Sequence, residues 1–126
     1  MTIFLSAEGS AGSASGGGER MLVHSVYFTL KDDSDAAKQK LAGACNQYLS
    51  SHPGTVFFSA GTRADELRRD VNDKEFDVAL LVAFNNKAAH DAYQTSDAHV
   101  KFIEENKPNW KQVRVFDSFA NVSQHA

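Results

Sequence analysis

Little in this chain speaks for a disulfide scaffold, a membrane anchor or a nucleic-acid surface. It has one cysteine in 126 residues, and one thiol cannot close an internal bridge. Cys45 therefore fits a reducing, cytoplasmic setting. No apolar run approaches the roughly 18 residues that a membrane-spanning helix requires. Cationic side chains are outnumbered, with 13 Lys and Arg against 16 Asp and Glu and a formal charge of −3. They are also scattered, with only Arg68 and Arg69 adjacent, so no basic stripe follows a phosphate backbone. Neither nucleic acid nor membrane is expected as a partner. There is no HExxH motif, no cysteine cluster and no histidine pair at a strong metal spacing. The glycine-rich string "SGGGER" (15–20) has no strand before it and is not a phosphate loop. A metal site would have to be assembled by folding, from carboxylates and carbonyls.

The composition changes near residue 20. Residues 1–20 hold five of the eight glycines and can bury too little apolar surface to offset the entropy of ordering. They are expected to form a disordered tail, with the domain at 21–122. "TIFL" at 2–5 is too short for a signal-peptide core and has no basic flank.

Within the domain, "LVHSVYFTL" (22–30) alternates in the manner of a strand, with Leu22, His24, Val26, Phe28 and Leu30 on one face. A helix follows, led in by Asp32 to Asp35, with Ala37, Leu41, Ala44, Cys45, Tyr48 and Leu49 as its buried stripe. Pro53-Gly54 ends that element. "TVFFSAGT" (55–62) and "FDVALLVAF" (76–84) read as strands, separated by a long polar connection at 63–75 that suits a flap, a helical turn or a solvent-facing loop. Asn85 is expected to cap a helix to about Tyr93. The pattern breaks at Thr95-Ser96-Asp97 and resumes to about 106, before Pro108 and a last strand, "KQVRVFDSFA" (111–120).

The order β-α-β-β-α-β with right-handed crossovers predicts an α+β, ferredoxin-like domain. Its four-stranded antiparallel sheet has strands one and three in the centre and both helices on one face. The other face keeps apolar side chains, and such a surface rarely stays wet. A homodimer through that face is expected, with Val26 and Phe28 assigned to it.

The strings "HSVYFTLKDD" (24–33), "FDVALLVAFNNKAAHDAYQTSDAHVKFIE" (76–104) and "VRVFDSF" (113–119) resemble the stress-responsive A/B barrel domain family, most specifically through "AYQTSDAHVKF". Asp97 stands where that family usually has Pro. The resemblance implies a dimeric α/β barrel, and the expected role is that of a stress-response-type domain binding a small, largely apolar molecule in a cleft between sheet and helices. His24, Phe28, Phe57 and Phe102 are the candidate ligand-lining residues. Some look-alikes are cofactor-free enzymes, including polyketide cyclases that use a Tyr and a His matching Tyr93 and His99. No organic cofactor is implied, although some members bind a divalent metal ion. Polyketide-cyclase-like or monooxygenase-like acid–base chemistry is thus one alternative. A purely structural dimer, its cleft filled by Phe57, Phe58 and Phe102, is another.

Read from their own chemistry, His99 can serve as acid or base near neutral pH, and Tyr93 can donate to an oxyanion. The preferred alternative for His99 is structural, a side chain that bonds a carbonyl freed by the helix break. His24 reads first as a partly buried strand histidine and second as a cavity residue. Asp77 and Asp117 read as ion-paired or solvated, with a lesser chance of orienting His24 or His99 or of holding a metal. His90 reads as solvated, Trp110 as the seal of a barrel end and Cys45 as core.

Overall fold

The computed structural model describes residues 20–121; the expected tail, apart from Arg20, lies outside the described residues. The elements are β1 (Met21–Leu30), α1 (Asp35–Leu49), β2 (Thr55–Thr62), β3 (Val78–Phe84), α2 (Lys87–Gln94), α3 (Asp97–Asn106), a 3-10 turn (Lys107–Asn109) and β4 (Trp110–Ala120). The strands form an antiparallel sheet in the order β2-β3-β1-β4, the ferredoxin-like arrangement expected. No helix among the described residues is long and apolar enough to cross a membrane.

Alternation along β1 decides which face is which. Leu22, His24, Val26, Phe28 and Leu30 are all buried. The four apolar ones cluster with Leu41, Cys45 and Leu49 of α1, Tyr93 of α2 and Phe102 of α3. This is the helix-covered face. The assignment of Val26 and Phe28 to a dimer surface is therefore corrected: both belong to the core of the single chain. The uncovered face carries the alternate residues, among them Tyr27, Leu81 and Phe116, and Phe116 is 55% exposed.

Local chemistry sets the element ends. Ser34 caps α1 by accepting from Ala37 N–H. Asn86, one residue later than expected, caps α2 by accepting from Ala89 N–H at 2.8 Å. Gly54 has φ of +91°, and a Cβ there would stand 2.5 Å from the Cβ of Ala89. Only glycine allows both that backbone and that approach, and its carbonyl accepts Asn85 N–H. The turn after α1 thereby fixes where α2 starts.

Asp77 precedes β3, which begins at Val78. Between Thr29 and Leu30 the β1–β4 register shifts, and Asp77 Oδ2 accepts the Leu30 N–H at 2.8 Å. Its Oδ1 lies 3.8 Å from Arg63. Asp77 is thus a strand-end and ion-pair residue and does not orient a histidine. The connection at 63–77 is tied down by Arg63, which donates to the carbonyls of Lys74 and Phe76, and by Arg114, 2.8 Å from Asp73. None of its residues lines the cavity described below, so it is no flap over it.

Candidate functional site

A cavity of about 200 Å³ lies between the sheet and helices α2 and α3. One wall is aromatic. Trp110 lies 4.9 Å from Phe28 and 5.7 Å from Phe102, centroid to centroid. Trp110 therefore lines the cavity instead of only closing an end of the fold. Its indole N–H is buried without a hydrogen-bond partner among the described residues.

The polar wall gathers residues from four elements: His24 of β1, His90 and Tyr93 of α2, His99 of α3 and Asp117 of β4. Tyr93 stands at its centre. Its ring lies 4.9 Å from His99 and 5.8 Å from His24, and the His24 and His90 rings are 5.1 Å apart. His24 Nδ1 and Asp117 Oδ1 are 2.6 Å apart. The register explains the pair, because His24 and Asp117 are direct cross-strand partners on the helix-covered face.

The helix break puts Tyr93 and His99 side by side, but His99 does not hold the break together. Ser96 does. Its hydroxyl donates to the Tyr93 carbonyl at 2.9 Å and accepts the His99 N–H at 3.2 Å, so one side chain serves both helix ends. The expected lock by the imidazole is corrected. His99 Nδ1 and the Tyr93 hydroxyl are both buried and have no hydrogen-bond partner among the described residues.

The charge states follow from burial and neighbours. Burial first, then the charges His24, His90 and His52 can carry, push His99 down to about 4. At neutral pH its ring is uncharged and offers one donor and one acceptor. Burial, then negative charge at Cys45 and Asp117, raises the Tyr93 phenol, which stays a neutral donor. Partial burial works to raise the Asp117 carboxyl. The His24 hydrogen bond and the charges of His24 and His90 outweigh it and leave the carboxyl below its usual range. Cys45 is fully buried and its thiol is pushed up to about 12, first by burial, so it is a core residue and no nucleophile.

A scan against family models matches the stress-responsive A/B barrel domain over residues 22–120. The chain belongs to that family. Solved structures agree with this A/B barrel assignment at the level of fold. One is a member of the same family from Mesorhizobium loti with a ferredoxin-like fold, 21% identical, with a TM-score of 0.66 over 83% of this chain and 100% of that one. Another is a dimeric ferredoxin-like protein of unknown function from Thermobifida fusca, 12% identical, with a TM-score of 0.68 over 88% and 100%. A third is a hydroxynitrile lyase from Passiflora edulis, 19% identical, with a TM-score of 0.63 over 84% and 98%. No curated protein matches the chain.

The A/B barrel cavity is lined by five of the six candidate site residues: His24, Phe28, Tyr93, His99 and Phe102. Phe57 is not among them. It pairs with Ala83 next to a β-bulge and is 56% exposed. His90, expected from the sequence to be solvated, is not: its side chain is 15% exposed and faces His24. For Asp117 the lesser expectation, a carboxylate that orients a histidine, is the one the β1–β4 register favours. Among the described residues, His24, His90 and Asp117 form a group that could hold a metal ion.

Proposed function

We propose that this domain binds a small, mostly apolar, uncharged molecule that carries a hydroxyl or carbonyl oxygen. The observation that carries the reading is the pair of buried, unpartnered groups on the polar wall, Tyr93 Oη and His99 Nδ1. Leaving such groups unpaired costs about 1–3 kcal/mol each, and a ligand oxygen would remove that cost. The cavity is smaller than the roughly 300–1,000 Å³ of pockets for drug-sized molecules, so the ligand is small. The ionised Asp117 carboxylate beside the site disfavours an anion. Against the purely structural reading, the space is not filled: Phe102 lines it, Phe57 points elsewhere and Phe58 packs against the core. Residues 1–20 take no part in this reading, which needs only the domain at 21–122. The uncovered sheet face supports a homodimer, the state of the T. fusca and other neighbours of this fold.

Isothermal titration with 1-naphthol tests the proposal, since it pairs an apolar body with one hydroxyl. Tyr93→Phe should weaken binding about fivefold, the value of one neutral hydrogen bond, and His99→Leu similarly. Naphthalene, which lacks the hydroxyl, should not distinguish these variants from the wild type. Absence of binding, or a Tyr93→Phe variant that binds naphthol as well as the wild type does, refutes it.

A second reading, acid–base catalysis without an organic cofactor, is supported by the 2.6 Å contact between His24 and Asp117. A carboxylate so placed fixes the tautomer and orientation of an imidazole. Tyr93 would then donate to a developing oxyanion, and the neutral His99 would move a proton. Loss of turnover in Asp117→Asn and Tyr93→Phe with ligand affinity retained would separate catalysis from binding alone.

A further inference from the structure

We infer that His24, His90 and Asp117 form a binding site for a divalent transition-metal ion of the zinc type at the polar wall of the cavity. Each residue offers one ligand atom, and these atoms all lie within 4.8 Å of one another. They come from β1, α2 and β4, so the fold assembles the set and no local sequence spacing announces it. Two imidazoles and one carboxylate suit zinc, cobalt or iron. They are poor ligands for magnesium or calcium, which take oxygen donors. From the sequence, carboxylates and carbonyls brought together by folding are expected; the structure adds two imidazoles to one carboxylate.

Three features beyond proximity point to a cation. The first is the outer support of His90. Its Nδ1 lies 3.0 Å from Asp91 Oδ1, and Asp91 Oδ2 is held by Lys87 Nζ at 2.6 Å. A carboxylate on one ring nitrogen turns the lone pair of the other toward a metal, the usual support of a ligating histidine. That Nε2 makes a long contact, 3.5 Å, with the Gln94 amide nitrogen. The second is the facing of the two imidazoles, 5.1 Å apart, beside a single carboxylate. One proton can join only the His24–Asp117 pair, whereas one divalent cation engages all three groups.

The third is what borders the site. Catalytic zinc keeps an open position beside three protein ligands. Tyr93 Oη and His99 Nδ1, buried and unpartnered, are available to a water or ligand oxygen held there. The metal-free arrangement must adjust. The 2.6 Å His24–Asp117 contact has to open to about 3.3 Å for ligands roughly 2.0–2.1 Å from tetrahedral zinc. Asp117 can make this movement, because its side chain is 40% exposed at the rim while that of His24 is 5% exposed and fixed.

The site shares the cavity with the proposed ligand but does not rest on that proposal, and its test uses metal alone. Untagged protein, stripped with EDTA and dialysed, is titrated with ZnCl2 by calorimetry and with CoCl2 by visible absorption. One equivalent should bind, and cobalt should show the intense bands of four or five coordination. His90→Gln and Asp117→Asn should each weaken binding at least tenfold, and Asp91→Ala by about 10–100-fold, as for lost outer support. His52→Gln, at a residue whose ring packs on Tyr93 and which is not one of the three ligands, should change nothing. Far-UV circular dichroism confirms that each variant is folded. Zinc should also raise the melting temperature of the wild type and not of His90→Gln. No binding to the wild type overturns the inference. So does binding that His90→Gln leaves intact with the same cobalt spectrum. The naphthol titration, run on stripped protein, fails or succeeds independently.

Discussion

The junction between α2 and α3 distinguishes two accounts of His99, and Ser96→Ala against His99→Leu tests them. The Ser96 hydroxyl makes both junction bonds, to the Tyr93 carbonyl at 2.9 Å and from the His99 N–H at 3.2 Å. Loss of the cap costs about 1 kcal/mol. Loss of the carbonyl bond adds about 0.5 kcal/mol, since the Ser96 N–H still reaches that carbonyl. Ser96→Ala should therefore destabilise by about 1.5 kcal/mol, and Ser96→Thr should restore most of it. His99→Leu removes a buried unpartnered nitrogen, a gain of about 1–3 kcal/mol. It also removes the ring contact with Tyr93, a loss of about 0.5–1.5 kcal/mol. The two offset, so His99→Leu should be neutral to mildly stabilising. Urea unfolding at pH 8, where the imidazole is neutral in both states, reads the difference directly. A His99→Leu variant that loses more than Ser96→Ala would refute the assignment of the lock to Ser96.

Stability should also depend on pH through His99. Its folded-state value is depressed to about 4 from 6.5, so the unfolded chain takes up the proton first as pH falls. The stabilisation is complete above about 6.5 and is lost between there and about 4, on the order of 2–3 kcal/mol in all. His99→Leu should flatten that limb in urea unfolding followed from pH 7 to 4; an unchanged slope would contradict it. Asp117, held low in the folded state, stabilises above the usual carboxylate value and loses this at more acid pH, so Asp117→Asn should shorten the acid limb below about pH 4. Cys45, buried with its thiol at about 12, should react with Ellman's reagent only as fast as the protein unfolds. Phe116→Asp should leave the fold intact by circular dichroism and yield a monomer by sedimentation, whereas Val26→Asp should prevent folding; a folded Val26→Asp monomer would return that residue to the dimer face.

The strands and the long helix were legible because alternation in β1 and the α1 stripe at Leu41, Cys45 and Leu49 are properties of single elements. The junction was legible too, as an interruption after Tyr93. What the sequence does not show depends on relations between elements. Which face of β1 meets the helices cannot be told from β1, so Val26 and Phe28 were placed on the wrong side. His90 sits beside the Ala89–Tyr93 stripe of α2, and only the docking of α2 over β1 turns it toward His24. Asp117 becomes a partner of His24 through the β1–β4 register. Phe57 followed the apolar look of "TVFF", but a bulge between Thr55 and Phe57 displaces the alternation there.

The central claim is that a ligand oxygen enters this cavity and meets Tyr93 and His99. A crystal of the protein soaked in 1-naphthol measures it directly. The account predicts the naphthol between sheet and helices, its oxygen within hydrogen-bond distance, about 2.6–3.2 Å, of Tyr93 Oη or His99 Nδ1. Naphthol bound only on the uncovered sheet face, or a cavity closed by side chains with both groups still unpaired, would contradict it.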